Sequence, residues 1–110
     1  MYGIYAPVTE STLAALAEPN RRRILDLLRD GERPVGELAE ALQIAQPSAS
    51  KHLKTLKDAG LVAMRTDAQR RWYGLRLEPL IELDAWLEPY RRIWSERLDA
   101  LETHLDEMED

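Results

Sequence analysis

Cysteine is absent from the 110 residues, which excludes disulfides, thiolate metal sites and thiol redox sensing. Phenylalanine is absent too, so the large apolar payload rests on leucine with three tryptophans and four tyrosines. A core of that size is marginal alone, and an obligate oligomer is the expectation. No apolar run approaches the ~20 residues needed to cross a bilayer, and no membrane partner is expected. The N-terminus lacks the basic stretch and apolar run of a secretory signal, which points to a cytoplasmic location.

Acid is also absent, locally, from a protein rich in it. The formal charge is −5, which taken as a total argues against nucleic acid. Its distribution reverses that reading. Residues 18–76 carry 12 Lys/Arg against 8 Asp/Glu, whereas residues 77–110 carry 3 against 11. A phosphate feels the nearest patch within about a Debye length, ~8–10 Å, so the basic middle matters more than the acidic end. Between Gln46 and Lys57 there is no acid at all.

The chain length fits one domain. Residues 1–8 read as a loose arm, with Tyr2, Ile4, Tyr5 and Val8 able to pack. A helix capped by Thr9 or Ser11 presents Leu13 and Leu16. Pro19 suits the first turn of a second helix with Ile24, Leu25, Leu27 and Leu28 on one face, ended by Gly31. Pro34-Val35 is a short extended piece. A short helix, Gly36 to Leu42, turns inward Leu38, Ala39 and Leu42. After the turn Gln43 to Ala45, with Ile44 buried, a helix opens with Gln46 as N-cap and Pro47 as first residue, running to about Ala59 before Gly60. Leu61 to Thr66 and Arg70 to Leu77 read as strands joined by Asp67-Ala68-Gln69. From Pro79 a helical stripe runs through Leu80, Leu83, Leu87, Tyr90, Trp94, Leu98, Leu101, Leu105 and Met108, with Pro89 expected to kink or break it. Two short helices joined by a tight turn and followed by a hairpin describe a winged helix-turn-helix, mostly α with a small β wing. The expected division is an arm and helix over 1–17, a DNA-binding core and wing over 18–77, and a dimerisation helix over 78–110.

In the helix from Gln46, the buried face is Ala49, Leu53 and Leu56. At ~100° per residue the opposite side holds Pro47, Ser48, Lys51, Lys54, Thr55 and Asp58, with Ser50 and Lys57 on one flank and His52 on the other. Glutamine can pair with adenine, and serine hydroxyls serve either base in a major groove. The helix start favours phosphate, and the lysines would neutralise backbone charge. The expected DNA contacts are Gln46, Pro47, Ser48, Ser50, Lys51, His52 and Lys54, with Arg70 and Arg71 from the wing. Taken alone, such lysines are those of any solvated amphipathic helix, and wing arginines also protect an exposed sheet edge. The missing acid and the hairpin tip the balance to DNA. Arg65 and Arg76 are equally suited to pairing with acids of the chain, and Tyr73 belongs to the core.

A helix from Tyr90 to Glu109 is ~30 Å long, more than a small winged domain can cover. The surplus stripe is expected to bury against a second copy, through Leu13, Leu16, Tyr90, Trp94, Leu98, Leu101 and Leu105. A partner protein docking there is the rival explanation.

The stretches "EPNRRRILDLL", "PVGELAEAL", "QPSASKHLKTLKDAGLV" and "RRWYGL" together strongly resemble the ArsR/SmtB family of bacterial winged-helix repressors, over roughly residues 10–108. The resemblance implies a homodimer held by the first and last helices and an inverted-repeat operator in double-stranded DNA. It also implies contacts from Gln46, Pro47, Ser48, Ser50, Lys51 and the wing arginines. The metal ligands of the family's sensing branch are missing. Pro34-Val35-Gly36 stands where that branch has its cysteine pair, and Arg91 and Ile93 stand where its last helix has an aspartate and a histidine. His104 and Glu107 match the second half of that site as the sole remnant. The expectation is therefore a regulator with no metal and no cofactor, its effector open. The alternatives are a metal-responsive regulator using a non-standard site near His104, or a winged-helix protein-interaction module. An enzyme is not expected, because neither His52 nor His104 has a serine or carboxylate partner in sequence that would build a catalytic constellation.

Overall fold

A computed structural model of the chain describes residues 8–109; Tyr2, Ile4 and Tyr5 of the expected arm lie outside the described residues. The helix Glu10–Leu16 (α1) is capped by Thr9, whose Oγ1 accepts from the Thr12 N–H at 3.1 Å. Glu18 caps Pro19–Leu27 (α2) in the same way, accepting from the Arg21 N–H at 2.9 Å, with Pro19 in the first turn where its missing N–H is no loss. A 3-10 turn, Leu28–Asp30, follows, and Gly31 at φ 136° closes it, a conformation open mainly to glycine.

Arg33–Pro34 forms a two-residue strand (β1), then Val35–Leu42 (α3), Gln46–Asp58 (α4), the strands Val62–Asp67 (β2) and Arg70–Leu75 (β3), and a last helix Glu78–Glu109 (α5). The sheet is antiparallel with order β1-β3-β2. The extended Pro34 is thus a third strand outside the hairpin, paired to Trp72. Pro34 sits on an edge strand, where a missing N–H does least harm.

Ile24, Leu25, Leu28, Leu38, Leu42, Leu53, Leu56, Leu61, Val62 and Tyr73 form one core with Ala15. Burying each leucine there is worth roughly 1.5–3 kcal/mol. The arginines of the first half hold the helices onto this core. Arg21 donates to the carbonyls of Ala15 and Ala14 at 2.8 and 3.0 Å, and Arg22 to that of Leu16 at 2.8 Å. Both therefore satisfy the open C-terminal carbonyls of α1. Arg33 does the same for Leu27 at the end of α2, at 2.8 Å.

The expected break at Pro89 does not occur: α5 is continuous through it. Proline removes one rung of the ladder, leaving the Ala85 carbonyl without its usual donor. Side chains bridge that point. Arg91 pairs with Asp84 and Glu88, and Arg92 with Glu88 at 3.4 Å. At ~1.5 Å per residue, α5 spans ~48 Å. Leu80 packs on the core, but beyond Tyr90 the helix runs free, and from Arg92 to Met108 every side chain is exposed. The Cα radius of gyration is accordingly 18.7 Å, against about 13 Å for a compact chain of this length.

Candidate nucleic-acid interface

The geometry that presents α4 begins at the turn before it. Gln43 adopts the left-handed conformation at φ 58°. Its N–H donates to Glu40 and that of Ile44 to Ala39, both at 3.1 Å. This pairing ends α3 in a Schellman motif without a glycine. The chain then reverses within three residues, and Ile44 packs against the core. The N-cap of α4 is Ala45, not Gln46, and it gives no side-chain hydrogen bond. Gln46 is therefore the first helical residue and Pro47 the second. The first-turn N–H groups meet no side-chain acceptor, so the positive end of the helix faces outward. The far end is closed by a second Schellman motif, with Gly60 at φ 78° and bonds from Gly60 to Lys57 and from Leu61 to Leu56, each 2.9 Å.

Ala49, Leu53 and Leu56 are each wholly buried, fixing the rotation of α4. Gln46, Pro47, Ser48, Ser50, Lys51 and Lys54 are all exposed on one surface with no acid in the first two turns. Lys54 is held by Asp58 one turn on, at 2.9 Å. Both are well exposed, so this pair is weak and screened by salt. His52 departs from the set. It is half-buried and turned to the start of α2, its Nδ1 3.7 Å from Glu18 and 3.4 Å from the Arg21 guanidinium. That carboxylate neighbour, distant in sequence, was not visible in the local motif.

The wing is a hairpin with a two-residue loop, Ala68-Gln69, one residue shorter than expected and with Ala68 at φ 56°. Its register pairs Arg65 with Trp72, Thr66 with Arg71 and Asp67 with Arg70. Successive residues alternate faces, so Arg70 and Arg71 point to opposite sides. Arg71 shares its side with the buried Tyr73. Arg65 donates to Glu32 at 2.8 Å and lies 3.7 Å from Asp67. The Glu32 bond is the main cause holding the Arg65 guanidinium above its usual pKa. Gly74 permits this, since a Cβ there would stand 3.0 Å from the Glu32 side chain. The strands stop at Leu75, and Leu77 is 54% exposed rather than continuing the Tyr73 face. Arg76 meets Glu78 at 3.4 Å.

The residues expected at a second interface are also exposed: Leu13, Tyr90, Trp94, Leu98, Leu101 and Leu105, with Leu16 half-buried. Sequence reasoning missed Trp86 and Ile93, which are half exposed and widen the stripe on one flank near Pro89. His104 and Glu107 lie exposed on α5. Among the described residues no group of three or more His, Asp or Glu is placed to hold a metal, and no helix is long and apolar enough to cross a membrane.

The family described as "Bacterial regulatory protein, arsR family" matches residues 18–63, the stretch from the cap of α2 to the start of β2. The transcriptional repressor SdpR of Bacillus subtilis is 37% identical over 73 residues, covering 66% of this chain and 81% of that protein. The crystal structure of the ArsR family transcriptional regulator RHA00566 superposes with a TM-score of 0.69 at 33% identity, over 77% of this chain and 88% of the other. The homodimeric winged helix-turn-helix DNA-binding domain Mb0332 of Mycobacterium bovis, solved by NMR, gives 0.59 at 34% identity, over 74% and 81%. With its helix pair, uncapped α4 and hairpin wing, the chain belongs to the ArsR family of bacterial regulatory proteins, winged helix-turn-helix transcriptional regulators that bind DNA and are not enzymes.

Proposed function

We propose that the chain is a cytoplasmic repressor that binds an inverted-repeat operator as a homodimer. The observation that carries this reading is the exposed, acid-free surface of Gln46, Pro47, Ser48, Ser50 and Lys51 over the buried Ala49, Leu53 and Leu56. That surface suits the major groove: Gln46 and the serines meet base edges, and the open helix start and Lys51 meet phosphate. Lys54 adds backbone charge once Asp58 is displaced, and Arg70 and Arg71 extend the contact from the wing. His52 contributes by fixing α4 against Glu18 and Arg21. Residues 18–77 thus carry the DNA contacts, while α1 and residues 78–110 carry the dimer through Leu13, Leu16, Tyr90, Trp94, Leu98, Leu101 and Leu105. The repressor role of SdpR and the homodimeric state of Mb0332 support both halves of the reading.

A homodimer places two copies of α4 on one face of the duplex, with half-site centres about 34 Å, or a multiple, apart. Selection of bound sequences from a random duplex pool tests this. A palindrome with that spacing is expected; recovery of no preferred sequence, or of a single unrepeated half-site, would contradict it. The same selection repeated with divalent metals, and with His104→Ala, separates a metal-responsive regulator from one that ignores them.

A further inference from the structure

The wing contains a cluster that local pattern did not reveal. Arg65 and Arg70 both lie over the Trp72 ring, with guanidinium carbons 5.4 and 5.2 Å from its centroid. All three belong to the outer sheet face, away from Tyr73. The two arginines differ in what else holds them. Arg65 is committed to Glu32 and Asp67. Asp67 stands directly across from Arg70 in the register yet pairs with Arg65. Among the described residues Arg70 has no carboxylate partner. Its guanidinium is therefore placed by an aromatic face alone. Stacking uses the π face and leaves the in-plane N–H groups open, the fork that suits a phosphate.

We propose that Trp72 is a positioning residue that holds Arg70 ready for a DNA phosphodiester. Arg65, itself held by Glu32 and Asp67, lies against the same ring from the neighbouring strand, so the wing meets DNA with Arg70 already ordered and Arg71 extended from the other face. The gain comes from ordering a long side chain before binding, not from added charge. This inference rests on the operator reading above.

The test measures affinity for the selected operator, and its salt dependence, in the full chain. Trp72→Leu is expected to weaken binding about two- to fivefold, the size of an exposed cation–π contact, and to leave the salt slope unchanged. Trp72→Phe retains most of the affinity. Arg70→Ala weakens binding and makes the slope shallower by about one. In the double variant, Trp72→Leu adds nothing to the loss from Arg70→Ala. Losses that multiply would show that Trp72 acts only through hairpin stability and would overturn the proposal. If Trp72→Leu does not fold, Arg70→Lys replaces it. Lysine keeps the charge without the flat fork, and binding equal to the parent would likewise overturn the proposal. A parent chain that binds no duplex defeats the operator reading itself, whereas parent binding without coupling between Trp72 and Arg70 defeats this inference alone.

Discussion

Replacing Trp94 with alanine isolates the dimer from the fold. Trp94 is 47% exposed in the single chain and sits near the start of the free stretch of α5. A tryptophan has about 250 Å² to bury, which leaves roughly 120 Å² awaiting cover. At about 25 cal/mol per Å² that is ~3 kcal/mol per copy, and a two-fold axis counts it twice. If partner contact covers half of this surface, the loss is still ~3 kcal/mol per dimer, more than a hundredfold in Kd. Alanine is the strongest helix former, and Trp94 is not part of the core, so α5 and the winged portion persist. Sedimentation equilibrium over a concentration series reads the dissociation constant, with far-ultraviolet circular dichroism as the control for helix. A dimer constant unchanged in Trp94→Ala, with helicity intact, would refute the assignment of this stripe to a second copy.

Three further outcomes are expected. Gln43→Gly relieves a left-handed residue at the helix-turn-helix turn and should raise unfolding stability by about 1 kcal/mol, read by urea denaturation; a loss would mean the Gln43 side chain stabilises the turn beyond the backbone bonds that end α3. Pro89→Ala restores the missing rung in an unbroken helix and should stabilise α5 by up to ~3 kcal/mol, visible as a higher Tm and greater helicity; a lower Tm would show that the proline ring itself contributes to the packing. Hydrogen bonds from Arg91 and then Arg92 hold the Glu88 carboxyl below its usual pKa, so its contribution to α5 is present above the ordinary glutamate value of about 4.3 and is lost as pH falls through the lower folded value. Arg91→Ala should flatten the acid end of the helicity–pH curve, and an identical curve would remove the bridge from the account.

Much of this fold is written in local pattern. The bounds of α4 follow from Pro47 and Gly60 to within one residue at each end, and its rotation from the spacing of Ala49, Leu53 and Leu56. The α5 stripe is likewise a matter of period. What local pattern hides are partnerships between residues far apart in the chain. Nothing in the basic run Arg21-Arg22-Arg23 announces that Arg21 and Arg22 close α1. His52 meets Glu18 across 34 positions of sequence, which only the packing of α4 on α2 brings about. Arg65, Trp72 and Glu32 join through sheet register and the space left by Gly74. At Pro89 a sound rule about proline met a local compensation, since Asp84, Glu88, Arg91 and Arg92 are spaced to bridge the gap. Trp86 and Ile93 lie four before and three after Tyr90, and one run of three-and-four steps follows only one of the two paths through Tyr90, so it traces a stripe narrower than the exposed face.

Ser50→Ala separates base reading by the first two turns of α4 from backbone holding by the later lysines and the wing, with affinity measured for the selected operator and for a scrambled duplex at one salt concentration. A loss of roughly 1–3 kcal/mol on the operator and none on the scrambled duplex is expected. An equal loss on both would mean that Ser50 does not read bases.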